Sequence, residues 1–303
     1  MFGKLGLGLG LGGGGGAKLD PATVAYIQRV EADGGNVINP TSLNRDILFL
    51  KEQGLWDTVI AAGVGLFWTK NSGVKIDTTT TDTVSKIYNV IPFSSDPETQ
   101  DTHNFSNNVK SEQPLWADGV MKCIHDGTIP RRLLGGAGTL SIANNKSHIV
   151  SFATIKHISA PTSTGYVLCA LNSGGGGTRY GFGRNTTKLS VVVSNNDATP
   201  NTYSSADDMN IQKRITISSV FAAGANGYVK LWQNKTEYVN QELNISLAAS
   251  NSASVLIGDL GVGGVYRPLL AEVHALIVLP FSVSDSDRGA VEDYLIANYG
   301  EVI

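Results

Sequence analysis

The sequence predicts a mainly-β protein, an antiparallel sandwich preceded by a small helical module and a glycine-rich N-terminal arm. Three observations predict it. Between residues 140 and 280, short runs rich in β-branched and apolar residues alternate with clusters of Asn, Asp, Gly and Ser. No helical period separates those runs, which excludes a parallel α/β fold. From Leu269 to Gly300 a long apolar run, stopped by Pro280, leads through a turn into an amphipathic stretch, which reads as a buried strand and one closing helix.

In chain order, residues 1–18 form a low-complexity arm in which Leu5, Leu7, Leu9 and Leu11 alternate with glycine. Glycine costs the most backbone entropy to order, so the arm does not fold alone, but it can order against a partner's edge. A disordered leader and a docking arm are the two readings, and the four leucines, odd in a solubilising linker, favour the docking arm. Its apolar stretch is broken at every second position, so it is not read as a signal peptide, and any export would follow another route. Residues 19–82 are the helical module. Asp20-Pro21 and Asn39-Pro40 are N-cap and first-turn pairs, followed by Val24, Ile27 and Val30 and by Leu43, Ile47 and Leu50 on single faces. Gly34-Gly35 and Gly54 stop the two helices, and Leu55-Trp56 opens a third apolar piece running to about Trp68.

Residues 83–303 are the sandwich. Lys86–Ile91, Ile149–Ile155, Tyr166–Leu171, Lys188–Val193, Arg214–Val220, Tyr228–Gln233, Ser254–Ile257 and Leu269–Leu279 are the strand candidates. In Tyr228–Gln233 the period of two turns Val229 and Leu231 to the core and Trp232 to the outer face. Ser284 with Asp287 three residues on caps the last helix, whose buried face is read as Val291, Tyr294, Leu295 and Asn298, and Gly300 ends it.

Composition limits the chemistry. There are 23 basic and 26 acidic residues and 16% charged residues overall, so no basic field for nucleic acid is readable. No apolar run is long enough to span a membrane. Cys123 and Cys169 share no CxxC motif and read as buried thiols. The histidines at 103, 125, 148, 157 and 274 have no zinc-site spacing, and His274 reads as a hydrogen-bonded sheet residue. The glycines of 174–177, 181–183 and 261–264 make no phosphate loop and read as turn glycines. The acid clusters Asp207-Asp208, Asp285/Asp287 and Glu292-Asp293 read as a loop, a cap and a helix surface. Asn195-Asn-Asp197 and Asp207-Asp208 are the calcium candidates, although turn chemistry accounts for both, and no other cofactor is expected. Five sequons, at Asn104, Asn145, Asn185, Asn234 and Asn244, suit an Asn/Ser/Thr-rich chain.

The end of the chain resembles the concanavalin A-like (laminin G-like) jelly-roll domains. Val283–Arg288 matches their "leucine-serine-aspartate-x-x-arginine" turn, with valine where leucine is usual, and Val291–Gly300 matches their closing helix. Ser106–Leu115 and Val120–Gly127 resemble the first strands of the same family, with His125 as a departure before the Asp126-Gly127 turn. Tyr26–Gly35 and Leu50–Trp56 are similar to a module that precedes such a jelly roll in structural proteins of tailed bacteriophages. The resemblance implies a non-enzymatic virion protein, a capsid- or tail-associated decoration or fibre component. Other virion proteins would be its partners through residues 1–18 and the helical module. The arm motivates the expectation of a homo-oligomer.

Two further readings stay open. One is a host-glycan-binding adhesin on the virion, for which Arg179, Tyr180, Phe182, Asn185 and Tyr203 are the candidate contacts; the same aromatics could instead fill the core or a subunit contact. The other is a glycoside hydrolase. Family members that cut sugars carry "glutamate-x-aspartate-x-x-glutamate" on one strand, a spacing this chain lacks.

Overall fold

A computed structural model describes residues 18–79, 81–124, 131–136, 148–159, 165–171, 178–193, 201–209, 213–245, 255–258, 260–262, 265–267 and 269–301. The elements begin with α1 (Pro21–Ala32), β1 (Asn36–Val37), α2 (Pro40–Glu52), α3 (Leu55–Ala62), β2 (Leu66–Thr69), β3 (Gly73–Asp77), β4 (Thr83–Ile87), the short α4 (Pro97–Asp101) and β5 (Phe105–Ser106). Next come β6 (Leu115–Ala117), β7 (Val120–Cys123), β8 (Arg132–Gly135), β9 (His148–His157), β10 (Gly165–Leu171), β11 (Thr178–Asn185), β12 (Lys188–Val193) and β13 (Asn201–Asp208). The chain continues through β14 (Arg214–Ala222), β15 (Gly224–Gln233), β16 (Thr236–Ile245), β17 (Val255–Gly258), β18 (Leu260–Val262), β19 (Val265–Arg267), β20 (Ala271–Leu279) and α5 (Asp285–Tyr299).

The body is the antiparallel jelly-roll sandwich expected of the sequence. A front layer runs β16–β15–β14–β9–β20, with β2 and β7 sharing the far side of β20. A back layer runs β1–β3–β4–β5–β8–β17–β10–β11–β12–β13. Strand β6 pairs with both β7 and β4 and so joins the layers along one edge. Every pairing among the described residues is antiparallel.

Two cores hold this together. The first lies between the layers, where Ile149, Ile155, Ile217, Phe221, Val229, Leu231 and Leu276 meet Val167, Phe182, Leu189, Val191, Val255 and Ile257. The second lies on the outer side of the front layer. There Val150, Phe152, Val220, Trp232, Ala275, Ile277 and Leu279 pack against Tyr26, Val30, Leu43, Ile47, Leu50, Trp56 and Val59 of the first three helices and Val291, Leu295 and Tyr299 of α5. Burying such side chains is worth roughly 1.5–3 kcal/mol each. Strands β9 and β20 are therefore covered on both faces, which is why β20 reads as a continuous apolar run from Ala275 to Leu279 rather than alternating. Trp232 does face outward from the sandwich, as its position in β15 predicts, yet helix α5 covers it and leaves it 4% exposed.

The helical module is not a separate body. Strand β2 pairs with β20, and β3 pairs with β4 across the boundary expected at residues 82/83. The third apolar piece ends as α3 at Ala62, and Leu66–Thr69 is a sheet strand. The caps behave as the sequence predicts: Asp20 accepts from the Ala22 amide, Asn39 from Ser42, and Ser284 from Asp287.

The buried stripe of α5 is rotated from the expected face. It runs through Val291, Glu292, Leu295 and Tyr299, while Tyr294 and Asn298 are half-buried. Glu292, read as helix surface, is 1% exposed. It accepts from Arg288 Nη1 at 2.7 Å and from Ser218 Oγ of β14, and the Arg288 guanidinium carbon sits 3.8 Å from the Trp232 ring centroid. A second buried knot ties α5 to α2 and β2. The Asp46 carboxylate accepts from Tyr294, from Tyr299 at 2.5 Å and from Thr69 at 2.9 Å, and burial raises its pKa despite those bonds.

Candidate functional site

One wall of a groove is built by α1. Thr23, Tyr26 and Val30 turn down into the core, leaving Ala22, Ala25, Arg29 and Ala32 on a neighbouring face at helical spacing. Facing them is the segment from Val90 through Pro92, Ser94, Ser95, Pro97 and Glu98 to Asn104, and the space between the walls measures about 740 Å³. The lining is mostly carbon.

The geometry of both walls comes from close approach and from amide side chains. Gly73 has no room for a Cβ, which would lie 2.7 Å from Val30 Cγ2 and 2.8 Å from the Tyr26 hydroxyl, and a Cβ on Gly35 would lie 2.6 Å from the Tyr88 ring. Tyr26, Val30 and Gly35 of the Tyr26–Gly35 stretch thus seat α1 on the hairpin of β3 and β4. Tyr26 donates to the Tyr88 carbonyl and accepts from the Gly73 amide, and Tyr88 donates to Asp33 at 2.5 Å. Across the groove, Gln100 closes its loop by accepting from the Phe93 and Ser94 amides and donating to the Ile91 carbonyl. Asn89 accepts from Phe67 and Ile91 and donates to the Gly65 carbonyl, while Asn104 accepts from the Asn89 amide.

The charges at the rim are largely paired. Lys86 bridges Asp33 at 2.8 Å and Asp101, and Lys75 lies 3.7 Å from Asp33. Burial works against ionisation of Asp33, but the bonds from Lys86 and Tyr88 and the two ammonium charges hold its carboxyl below the usual range. Burial raises the hydroxyl pKa of Tyr26 and Tyr88 and lowers that of the Arg29 guanidinium. Arg29 gives Nη2 to the Asn89 carbonyl at 2.5 Å, whereas its buried Nε has no acceptor among the described residues. The named polar groups mainly hold the walls, so the groove is suited to receive an apolar chain segment.

The residues read as glycan contacts do not converge. Tyr180 and Phe182 are both 0% exposed and belong to the core between the layers, which corrects their reading as sugar-stacking rings. The reason is local: the Tyr180 hydroxyl is held between Ser151 Oγ at 2.9 Å and Ser219 Oγ at 2.8 Å of the front layer. Asn185 and Tyr203 are half-buried, and the Tyr203 ring packs against the main core. The backbone of Arg179 lies on β11, with its side chain outside the described residues. Nor are Gly181 and Gly183 turn glycines; they sit within β11, and a Cβ on Gly183 would lie 2.4 Å from the Gly165 carbonyl oxygen of β10. Arg184, next in the same strand, is buried and donates to the Leu269 carbonyl from Nε at 3.2 Å and from Nη2 at 3.1 Å.

Asp208 ends β13 rather than lying in a loop, and accepts from Thr187 at 2.5 Å. Asn195–Asp197 and the docking leucines Leu5, Leu7, Leu9 and Leu11 lie outside the described residues. Among the described residues, no three His, Cys, Asp or Glu side chains gather as a metal-holding group. No helix among them is long and apolar enough to cross a membrane. Both cysteines are buried. His274 is buried with Nε2 at 3.3 Å from Glu272, and burial, reinforced by Arg214, Lys70 and Lys156, lowers its pKa to about 3.

No protein-family model and no curated protein matches the chain. Among solved structures, it is similar to the binding domain of Botulinum neurotoxin DC described in complex with rat synaptotagmin II. That match has 11% identity and a TM-score of 0.44, over 59% of this chain and 43% of the toxin chain. A second is the CBM40 of the Ruminococcus gnavus IT-sialidase, at 15% identity and TM-score 0.40, over 54% of this chain and 88% of that one. A third is a heptameric SAP-like pentraxin from Limulus polyphemus, at 13% identity and TM-score 0.35, over 49% and 70% of the two chains.

Proposed function

We propose that the chain is a non-enzymatic structural protein of a tailed-bacteriophage virion, in which the sandwich is a rigid body and the helical module carries the docking surface. The groove beside α1 is the observation that carries this reading. It is mostly carbon-lined, and its named polar groups hold its walls or pair with one another, an arrangement that receives a chain segment better than it performs chemistry. The residues of Tyr26–Gly35, on which the resemblance to phage structural proteins rests, are the ones that build that groove. Other virion proteins are its partners in this reading, and it works as a homo-oligomer. Quantitative mass spectrometry of purified particles tests the location. The chain should be present at a fixed ratio to the major capsid or tail protein, and its absence from particles that infect normally would overturn the reading.

Glycan binding on the virion is the second reading, favoured by the partial exposure of Asn185 and of Tyr203 on β13, a strand that pairs with β12 alone among the described residues. Sialyllactose, the ligand described with the sialidase module, is a suitable first probe. A glycan array with and without calcium tests this reading, and an array without hits in either condition rejects it.

A further inference from the structure

We propose that Lys70, Lys156 and Arg214 form a binding site for a doubly charged oxyanion, a phosphate or sulfate group, on the outer side of the front layer beside the end of α5. The site is separate from the groove beside α1 and does not depend on where the chain resides.

Strand register builds it. Lys122 of β7 is paired with Glu272 of β20, Glu272 with Lys156 of β9, and Lys156 with Arg214 of β14. Directly paired residues share a face of the sheet. That face is the outer one, because Lys156 stands at even spacing from Val150 and Phe152, which pack under the helices. At the bulge between Val273 and Ala275, His274 feels the charges of Arg214, Lys70 and Lys156 together. The Lys70 amide donates to the His274 carbonyl at 2.8 Å, which sets that lysine beside the row.

The row is short of acid. Lys122 takes Asp118 at 2.7 Å and Glu272 at 3.4 Å, and Glu272 also lies 3.3 Å from His274 Nε2. The ammonium groups of Lys70 and Lys156 have no hydrogen-bond or ion-pair partner among the described residues, and Glu301, next after Gly300, is in no ion pair among them. Arg214 gives Nη1 to the Tyr299 and Gly300 carbonyls, both at 3.3 Å, while its buried Nε has no acceptor among the described residues. With Lys122 balanced by Asp118, three cations against the one acid Glu272 leave an excess of two positive charges. All three cations are half-buried, and like charges directly opposite on neighbouring strands destabilise a sheet. Burial and Arg214 together lower the pKa of Lys70, the direction that crowded cations impose. His274 is held neutral by burial and the same cations, so it adds no charge at neutral pH. A phosphate group carries about −1.5 to −2 near pH 7 and a sulfate ion −2, which matches that excess, and the arginine fork suits such oxygens.

Calorimetric titration of the full chain at fixed ionic strength and pH 7.5 tests it, with sodium phosphate, sodium sulfate and sodium acetate as probes. Saturable binding of phosphate or sulfate at one site per chain is expected. Lys70→Met and Lys156→Met should each weaken it at least about tenfold, the loss of one charge-assisted hydrogen bond, while Lys188→Met in the back layer leaves it unchanged. Phenyl phosphate and phenyl sulfate separate the sources: tighter binding than the free ions assigns the anion to a larger ligand, and weaker binding assigns it to the free ion. No saturable binding of either dianion, acetate binding as tightly as they do, or equal losses in the Lys188 variant would overturn the proposal. Thermal unfolding gives an independent readout through a reversal of sign. In anion-poor Hepes buffer Lys156→Met should raise the midpoint by relieving repulsion, and in saturating phosphate it should lower it relative to the unsubstituted chain. A midpoint shift of the same sign in both buffers counts against the site.

Discussion

Replacing Arg288 by methionine tests how helix α5 seals the front layer. In the folded protein the Arg288 guanidinium is sandwiched between the Trp232 ring, 3.8 Å from its centroid, and the Glu292 carboxylate, 2.7 Å away, and Glu292 is 1% exposed. Methionine keeps much of the apolar contact with Trp232 but leaves Glu292 with Ser218 as its remaining described partner. Removing one member of a buried ion pair typically costs about 3–5 kcal/mol, because the other charge stays desolvated and uncompensated. Arg288→Met should therefore lower unfolding free energy by about 3–5 kcal/mol at neutral pH. Glu292→Gln keeps a hydrogen-bonding group beside Ser218 and Arg288 and should cost about 1–3 kcal/mol. The double variant should cost clearly less than the sum of the singles, with a coupling of about 2 kcal/mol or more. Urea unfolding followed by far-ultraviolet circular dichroism, with the denaturant slope checked for constancy, measures all four corners. A loss below about 1 kcal/mol for Arg288→Met, or strict additivity, would refute the claim that this pair is buried and mutually dependent.

Other expectations follow from the same geometry. Tyr180→Ala and Phe182→Ala should each cost about 3–5 kcal/mol in urea unfolding, whereas Tyr203→Ala should cost far less; equal effects would contradict the burial of the first two. Burial lowers the pKa of His274 to about 3 and that of His157 to about 4, so between these values and about 6.5 the unfolded chain binds protons that the folded one refuses. Stability should consequently fall as pH drops through that window, by about 2–3 kcal/mol per histidine near pH 4.5, and His274→Gln should flatten the profile. Asp46 works in the opposite sense: its raised pKa makes its contribution largest in acid, and that contribution is lost as pH rises through the folded value, a trend that Asp46→Asn should abolish in the same titration. Asp20→Ala removes the cap on α1 and the partner of Lys51 at 2.6 Å, and should lower the midpoint of thermal unfolding in line with about 1 kcal/mol.

Much of the architecture was legible in the residues because its signals are local. Asp20-Pro21, Asn39-Pro40 and Ser284 start helices through hydrogen bonds that span two or three residues, and β12 begins and ends where its apolar run does. The stretch from Arg214 to Gln233 reads as two strands for the same reason. The candidate site was much less legible. Its traces in the sequence are the Tyr26–Gly35 stretch and the spacing of Ala22, Ala25 and Ala32, and what they face is set by Gln100 and Asn104, some 70 residues later. Tyr180-Gly-Phe-Gly-Arg184 looked like an exposed aromatic loop because glycine marks turns as readily as it marks two strands in close approach.

Taken alone, the order of amino acids determined the class of fold, several of the strand runs, the caps and the closing helix, since each depends on periodicity or on a bond between near neighbours. Which face of α5 is buried, that Glu292 and Asp46 are interior carboxylates, that β2 belongs to the sheet, and that α1 and the segment after Val90 enclose a groove were decided only by tertiary structure. The physical reason is that burial is a property of what packs on a surface. The covering groups here come from opposite ends of the chain, as with Asp46 and Tyr299, where no local pattern can register them.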